Sequence, residues 1–475
     1  MTVIVQQPTD SNGNPQPMVY DQDTGKIIVD HDGYVINGGK RLVNIPTKAD
    51  YVSTAKTQTY GWQEAVKYLI SQNGGTMLIK DGVYDMTNAP FQSYTNNAGS
   101  AYTKILIPSQ DPSTNPVIPI KIIGETSGLM SGGEITDAPL TQSGVILYDE
   151  TAGSSTQSYI LGVEGTISGL DYLSNISIEI DNIGVRVAAG NGIGGIDLKS
   201  CITGTVGTIF LGVNHPWILP DPTNSTQIGI NLAGQFDTDC VVKKIVSTGG
   251  LYNTIGIGHH PIIDKLVVLG DLNAIYIDNE IHEGLIVSAD IEYVQNIFNV
   301  SSSYAGSGVI SPLKIVEMSV ANNNSHSNGA TWQNPVDFVN NPSAITIFPI
   351  LIDELWYYGG IVPNNYYPTE NFVVKRIIYS NTTVNSTTIS GYAIPTTPTV
   401  PTSATAQENS NPYAIDVYIY GGDVTEIQIT RNGTAHTVLS VSTAIAMSGQ
   451  LYELNPGDSI TVTYSTAPDW TWLSD

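Results

Sequence analysis

Apolar and polar residues alternate in short runs along most of this chain, and one segment breaks into a helical period. Over Gly61–Asn73, the residues Trp62, Ala65, Val66, Leu69 and Ile70 fall at i, i+3, i+4, i+7 and i+8. That spacing makes one apolar face of a helix. Gly74-Gly75 stops it, Thr76–Ile79 reads as a strand, Asp81-Gly82 as a turn, and Val83-Tyr84 as the start of the next strand.

The strand-like pieces further on repeat. Asn253–Val268 and Asn273–Ser288 align without gaps at a shift of 20, pairing Asn253 with Asn273, Ile255 with Ile275, Ile257 with Ile277, Leu266 with Ile286 and Val267 with Val287. At a shift of 21, Val242-Lys-Lys-Ile-Val246 matches Ile263-Asp-Lys-Leu-Val267, so Lys244 is expected to stack on Lys265. Ile352-Asp-Glu-Leu-Trp-Tyr357 returns 22 residues later as Val374-Lys-Arg-Ile-Ile-Tyr379, and Gly195–Leu198 resembles Gly229–Leu232. In this motif Trp356 takes a core-like position. A period of about 20–22 residues with two or three short strands is what a stacked solenoid requires, each repeat burying its alternating Ile, Val and Leu against its neighbours. Asn253 and Asn273 suit the bends between sides. Gly212–Thr226 and Ala321–Pro342 interrupt the period, and such insertions collect on one face.

Charge narrows the function classes. The 475 residues carry 18 Lys+Arg against 43 Asp+Glu, a net charge of −25, with charged residues only 13% of the total. Phosphate binding needs cations, and the four arginines are Arg41, Arg186, Arg376 and Arg431, so no nucleic-acid partner is expected. No apolar run approaches the roughly 18 residues of a membrane span, so no membrane insertion is expected. Met1–Pro8 lacks the basic start and apolar stretch of a secretory signal. Yet the interior is rich in Asn, Thr and Tyr, as in proteins that work outdoors. A virion component, or a chain shorn of its signal, fits both facts. Cys201 and Cys240 are too few for a disulfide framework; they read as buried thiols or as one bridge. No cofactor or metal set is apparent: Asp21-x-Asp-x-Gly25 and Asp30-x-Asp-Gly33 lack the distal Glu of a calcium loop.

The short helix followed by Gly74-Gly75-Thr76, an apolar strand with Leu78, then Gly82 and Tyr84, resembles the entry of pectate-lyase-like right-handed β-helix proteins, many of them viral tail spikes and tail fibres. The usual Asp-Gly-x-x-Asp-Asp before the helix is replaced by Tyr51–Tyr60. The resemblance implies an all-β fold: a right-handed parallel β-helix over residues 49–392, capped by the helix at 61–73. It implies an N-terminal attachment segment, 1–48, that docks on other virion tail proteins, and a homotrimer that recognises a host cell-surface glycan. A Pro/Thr/Ser-rich linker, 393–412, would lead to a C-terminal β-sandwich, 413–475. There Ile415–Ile419, Glu426–Thr430, Val438–Val441 and Ser459–Tyr464 read as strands. Gly421-Gly422, Asn432-Gly433 and Pro456-Gly457-Asp458 read as turns.

Two other functions compete with glycan recognition: a β-helix glycoside hydrolase acting on surface polysaccharide, and a cellular surface-layer or adhesion protein. Hydrolysis needs two carboxylates about 5–9.5 Å apart. Asp237 and Asp239 would share a strand face, and Asp278, Glu280 and Glu283 cluster at a bend beside His259 and His260; all five equally suit solvated bends. A lyase acting on uronates is disfavoured by the negative charge. Aromatic platforms for sugar rings are expected at Trp217, Trp332, Tyr366 and Tyr367, in the insertions and in a Gly/Pro/Asn loop.

Overall fold

The computed structural model describes residues 3–6, 18–21, 26–29, 36–37, 40–41, 59–71, 73–79, 82–96, 99–110, 114–124, 144–153, 156–165, 174–188, 192–201, 203–213, 226–233, 239–277, 281, 283–300, 313–321, 337–339, 350–358, 372–384, 387–392, 395–411 and 413–474. Among the described residues the chain is all-β apart from the helix Trp62–Ser71, which buries Trp62, Ala65, Val66 and Leu69 as the apolar period predicts. Asn73, at φ 60°, and Gly74, at 117°, turn the chain out of that helix into the strand Gly75–Ile79.

Two long sheets make the body, and the chain alternates between them. A 17-stranded main sheet receives Gly75–Ile79 and Gly82–Asp85, then Ile118–Gly124 and Val145–Asp149, and so on to Phe372–Val384. Between visits the chain crosses to a 9-stranded second sheet, at Gly99–Ile107, Ser158–Val163, Gly194–Asp197, Ile228–Leu232, Asn253–Ile257, Asn273–Ile277, Asn296–Val300 and Asp337–Val339. Successive visits pair in parallel. Such crossovers leave the inner faces to fill one core, which explains the Ile-rich interior.

The repeats set the register at several steps. Asn253 pairs with Asn273, Ile255 with Ile275 and Ile257 with Ile277. Lys244 pairs with Lys265, Ile352 with Val374, Tyr357 with Tyr379, and Ile196 with Ile230. The gapless shift of 20 fails in the main sheet, however. Ile286 lies opposite Ile263, and Leu266 opposite Ala289. Three more residues than the shift allows separate Ile277 from the next main-sheet strand, so the two sheets keep different spacings.

The motif's doubled polar residues have a structural cause. Each long main-sheet strand turns a corner where two successive side chains face outward. In Ile350–Tyr358 the pattern is Ile352 in, Asp353 and Glu354 out, Leu355 in, Trp356 out, Tyr357 in. The earlier expectation for Trp356 is thereby corrected: Tyr357 packs in the core at 3% exposure, and Trp356 faces outward. Down one side of the corner runs the register row Thr208, Lys244, Lys265, Ser288, Glu317, Glu354 and Arg376.

The flanking segments are tied to the sheets they adjoin. Within residues 1–48, the strands Val3–Gln6, Met18–Asp21 and Lys26–Val29 form an antiparallel meander, and the last pairs in parallel with Gly75–Ile79, extending the main sheet. The proline-rich stretch is fastened down. Pro398 O accepts from Trp470 Nε1 (2.7 Å), Pro401 O accepts from the Tyr464 hydroxyl (2.6 Å), and Ala406–Glu408 is a strand paired with Ser459–Thr466. The C-terminal strands are linked in one five-stranded antiparallel set, in which Asp469–Leu473 pairs with the first half of Ile415–Arg431 and Ser459–Thr466 with the second. Gly421 and Gly422, at φ 69° and 66°, bend the single strand Ile415–Arg431 where a turn between strands was expected. Asn432-Gly433 makes the predicted hairpin to Thr434–Leu454, with both residues at positive φ. Ala414 N–H donates to Val374 O (2.8 Å), joining this sheet to the main-sheet strand Phe372–Val384.

Candidate functional site

Three neighbouring main-sheet strands build a trough on the outer face beyond the corner. Leu285–Glu292, Leu313–Ala321 and Ile350–Tyr358 alternate, so Asp290 and Glu292, Ser319 and Ala321, and Trp356 and Tyr358 all face outward. Register aligns them in two rows: Asp290–Ser319–Trp356 and Glu292–Ala321–Tyr358. A carboxylate pair thus forms one wall and an aromatic pair the other. At about 4.8 Å per strand spacing the walls stand about 10 Å apart at the backbone. The small side chains of Ser319 and Ala321 form the floor.

Hydrogen bonds fix both walls. Ser319 Oγ donates to Asp290 Oδ1 at 2.6 Å. The Trp356 and Tyr358 rings lie 6.0 Å apart, within 10° of parallel. Trp356 Nε1 donates to Glu354 Oε1 (2.5 Å), whose other oxygen accepts from Arg376 Nη1 (3.1 Å). Glu354 also belongs to a depression of about 360 Å³ at the corner, lined by Val316, Glu317, Asp353, Glu354, Lys375 and Arg376. There Asp353 takes Lys314 at 2.9 Å and Lys375 at 3.2 Å. Partial burial works to raise the Asp353 pKa, but the two ammonium groups outweigh it and hold the carboxyl below its ordinary value.

The opposite shift occurs across the trough. Burial, and then the neighbouring charge of Asp290, raise Glu292 above the ordinary glutamate value. Of the other raised carboxyls, Asp149, Asp197 and Asp271 are fully buried, and Asp458, beside Arg431 in the C-terminal sheet, is 3% exposed, so none is open to a polymer. Asp197 accepts from Tyr94 (2.6 Å) and Asn96 (2.8 Å), and Asp271 from Leu251 N–H (2.8 Å) and the Thr254 hydroxyl. Asp197 thus ties Gly194–Asp197 to Gln92–Asn96 within the second sheet, and Asp271 ties the turn before Asn273–Ile277 to Asn253–Ile257.

The residues singled out from the sequence mostly fall elsewhere. Asp237, Asp278, Glu280, Trp217, Trp332, Tyr366 and Tyr367 lie outside the described residues, and only the backbone of Asp239 is described. Glu283 is exposed at φ 55° in the turn before Leu285. Two described anchor points still matter. The segment carrying Trp332 leaves the main sheet at Ala321, and that carrying Tyr366 and Tyr367 leaves it at Tyr358. Ala321 and Tyr358 are register partners at the trough. Cys201 and Cys240 are buried free thiols. Among the described residues, no group of three or more His, Cys, Asp or Glu is arranged to hold a metal, and no helix is long and apolar enough to cross a membrane.

Sequence reasoning missed Asp290, Glu292 and Tyr358. Their signal was present: Ala289-Asp-Ile-Glu292 alternates strictly, placing both acids on one face. No family model, curated protein or solved structure matches the chain.

Proposed function

We propose that the chain is a right-handed parallel β-helix of the viral tail-spike or tail-fibre kind, and that it recognises a host cell-surface glycan. It works on the virion tail, where residues 1–48 contact other tail proteins. The observation that carries this reading is the trough: an aromatic wall at Trp356 and Tyr358 facing polar groups across a floor of small side chains. Aromatic faces stack on sugar C–H surfaces, and Asp290, Glu292, Glu354 and Arg376 offer acceptors and donors to sugar hydroxyls. A furrow open along a stack of strands suits a polymer better than a closed pocket would. The test is a glycan array probed with the labelled chain. Retention of defined surface glycans by the wild type, lost in Trp356→Ala and Tyr358→Ala, is expected. Retention unchanged in both variants would remove the trough from the reading.

Hydrolysis is the second reading, and the Asp290–Glu292 pair favours it. Residues two apart on a strand have α-carbons roughly 6–7 Å apart, which suits a glycosidase pair. Glu292, raised by burial and by Asp290, has the character of a general acid, leaving Asp290 as the partner carboxylate. If the chain cleaves the glycan it binds, Glu292→Gln and Asp290→Asn abolish release of reducing ends while binding persists. Release that survives both substitutions excludes this pair.

A further inference from the structure

The strand Thr434–Leu454 is 21 residues long and, among the described residues, pairs with Ile415–Arg431 alone. Its other side is an open row of N–H and C=O groups. Long open edges normally carry charges, prolines or a covering element that keep other chains from pairing there. Among the described residues this one carries none of them; its register with Ile415–Arg431 shifts at Val438 and between Ser440 and Ile445, and the runs between those bulges stay open. Thr434–Tyr452 contains no Asp, Glu, Lys, Arg or Pro. Val438 is 45% exposed, Ile445 40% and Leu451 56%. The other sheet margins are short or covered: Ala406–Glu408 is three residues long, and Trp472 N–H on Asp469–Leu473 is bonded to Thr397 Oγ1 at 3.0 Å.

We infer that this edge pairs with the same edge of a second copy of the chain, antiparallel about a twofold axis. Charge selects the occupant. Each copy carries −25, so two copies repel over most of their surfaces. Along Thr434–Tyr452 that repulsion is missing, and a neutral strand meeting its own copy brings no like charges together. An edge that serves both partners closes as a dimer and leaves no edge to propagate. The pairing joins two antiparallel strands, continues the sheet across the axis, and covers Val438 and Ile445 from both copies. It is independent of the glycan reading.

The test is the molar mass of the full chain by light scattering, for the wild type and for the double variant Val438→Lys, Ile445→Lys. Both side chains are exposed in the single chain, so the fold tolerates lysine, while lysines brought together across the axis repel. The expected result is two chains for the wild type and one, 50.8 kDa, for the variant. A wild-type monomer, or a mass that the lysines leave unchanged, overturns the inference. Hydrogen exchange on the wild type decides independently of the variant. Pairing protects successive amides along Thr434–Met447, including those that face away from Ile415–Arg431. Three copies joined elsewhere leave those outward amides exchanging at the unprotected rate, which also overturns it.

Discussion

In the body, a backbone group that leaves one strand meets the next visit of the same chain. In the C-terminal sheet, Thr434–Leu454 has a neighbour on one side only among the described residues. Two local elements flank the parallel strands of the body. The helix Trp62–Ser71 buries Trp62 against Tyr84, and Phe372–Val384 forms a hairpin with Thr387–Tyr392. Both regions are built from alternating strands of similar composition. The difference is that stacking in the body makes each outward row a product of several distant segments. In the C-terminal sheet, the hairpin Ile415–Leu454 puts Thr434–Leu454 outermost, and among the described residues that strand has no second partner.

That contrast can be broken most sharply at the helix. Trp62 is fully buried and meets the Tyr84 ring edge-on at 5.6 Å. Trp62→Ala is expected to destabilise the body by about 3–5 kcal/mol, read from urea unfolding. A loss under about 1 kcal/mol would mean that the stack does not need the helix. Matched isoleucines sharpen the comparison. Ile275 is fully buried between Ile255 and Phe298, and Ile275→Ala should cost about 2–5 kcal/mol. Ile445 lies on the open edge, 40% exposed, and Ile445→Ala should stay within about 0.5 kcal/mol in the separate chain. Equal costs would show that the edge is covered within one chain.

The body's buried acids make a prediction with a definite sign. Burial raises Asp271 to about 6, against 3.8 in an exposed chain. Between those values the folded state holds the proton and the unfolded state has released it. The contribution of Asp271 to stability is therefore complete below about pH 4 and is lost as pH rises through about 6. A two-unit shift corresponds to at most about 3 kcal/mol. Asp149 and Asp197 are raised by burial as well and act in the same direction. Unfolding followed from pH 4 to 8 should show a decline that Asp271→Asn flattens in part. A decline identical in the variant would place its origin elsewhere. At the trough, Trp356→Ala removes an outward ring and no core packing. Glycan affinity is expected to fall about tenfold, worth about 1.4 kcal/mol, with the unfolding midpoint nearly unchanged.

How far the sequence disclosed this arrangement depended on whether a feature was periodic. The helix at Trp62, the pairing of Asn253 with Asn273 and the stacking of Lys244 on Lys265 were legible, because each reflects a spacing that stacking imposes. The Leu266 pairing was misjudged because a turn of different length in one circuit leaves no mark on the strands beside it. Trp356 was misplaced because the two-residue corner at Asp353–Glu354 shifts the phase of every side chain after it. The trough was illegible for a deeper reason. Glu292, Ala321 and Tyr358 are 66 residues apart from end to end and become neighbours only through register. The acids chosen from the sequence were clustered along the chain, whereas a stacked fold assembles its surface across it.

The corner ion pairs set the smallest expected effect and test whether that surface is there for stability. Asp353 lies between Lys314 and Lys375, whose side chains are 48% and 54% exposed. Water and salt screen such contacts, so Lys314→Ala should cost no more than about 1 kcal/mol, and less as salt is added. The same holds for Arg376, 39% exposed beside Glu354. Arg376→Gln, however, also frees the carboxylate that anchors the Trp356 indole, so it should weaken glycan binding more than it weakens the fold. Lys314→Ala touches no aromatic anchor and should leave glycan binding unchanged. If Arg376→Gln and Lys314→Ala behave alike on the array, the link from the corner through Glu354 to Trp356 has no part in recognition. The two rows would then be separate features of one outer face.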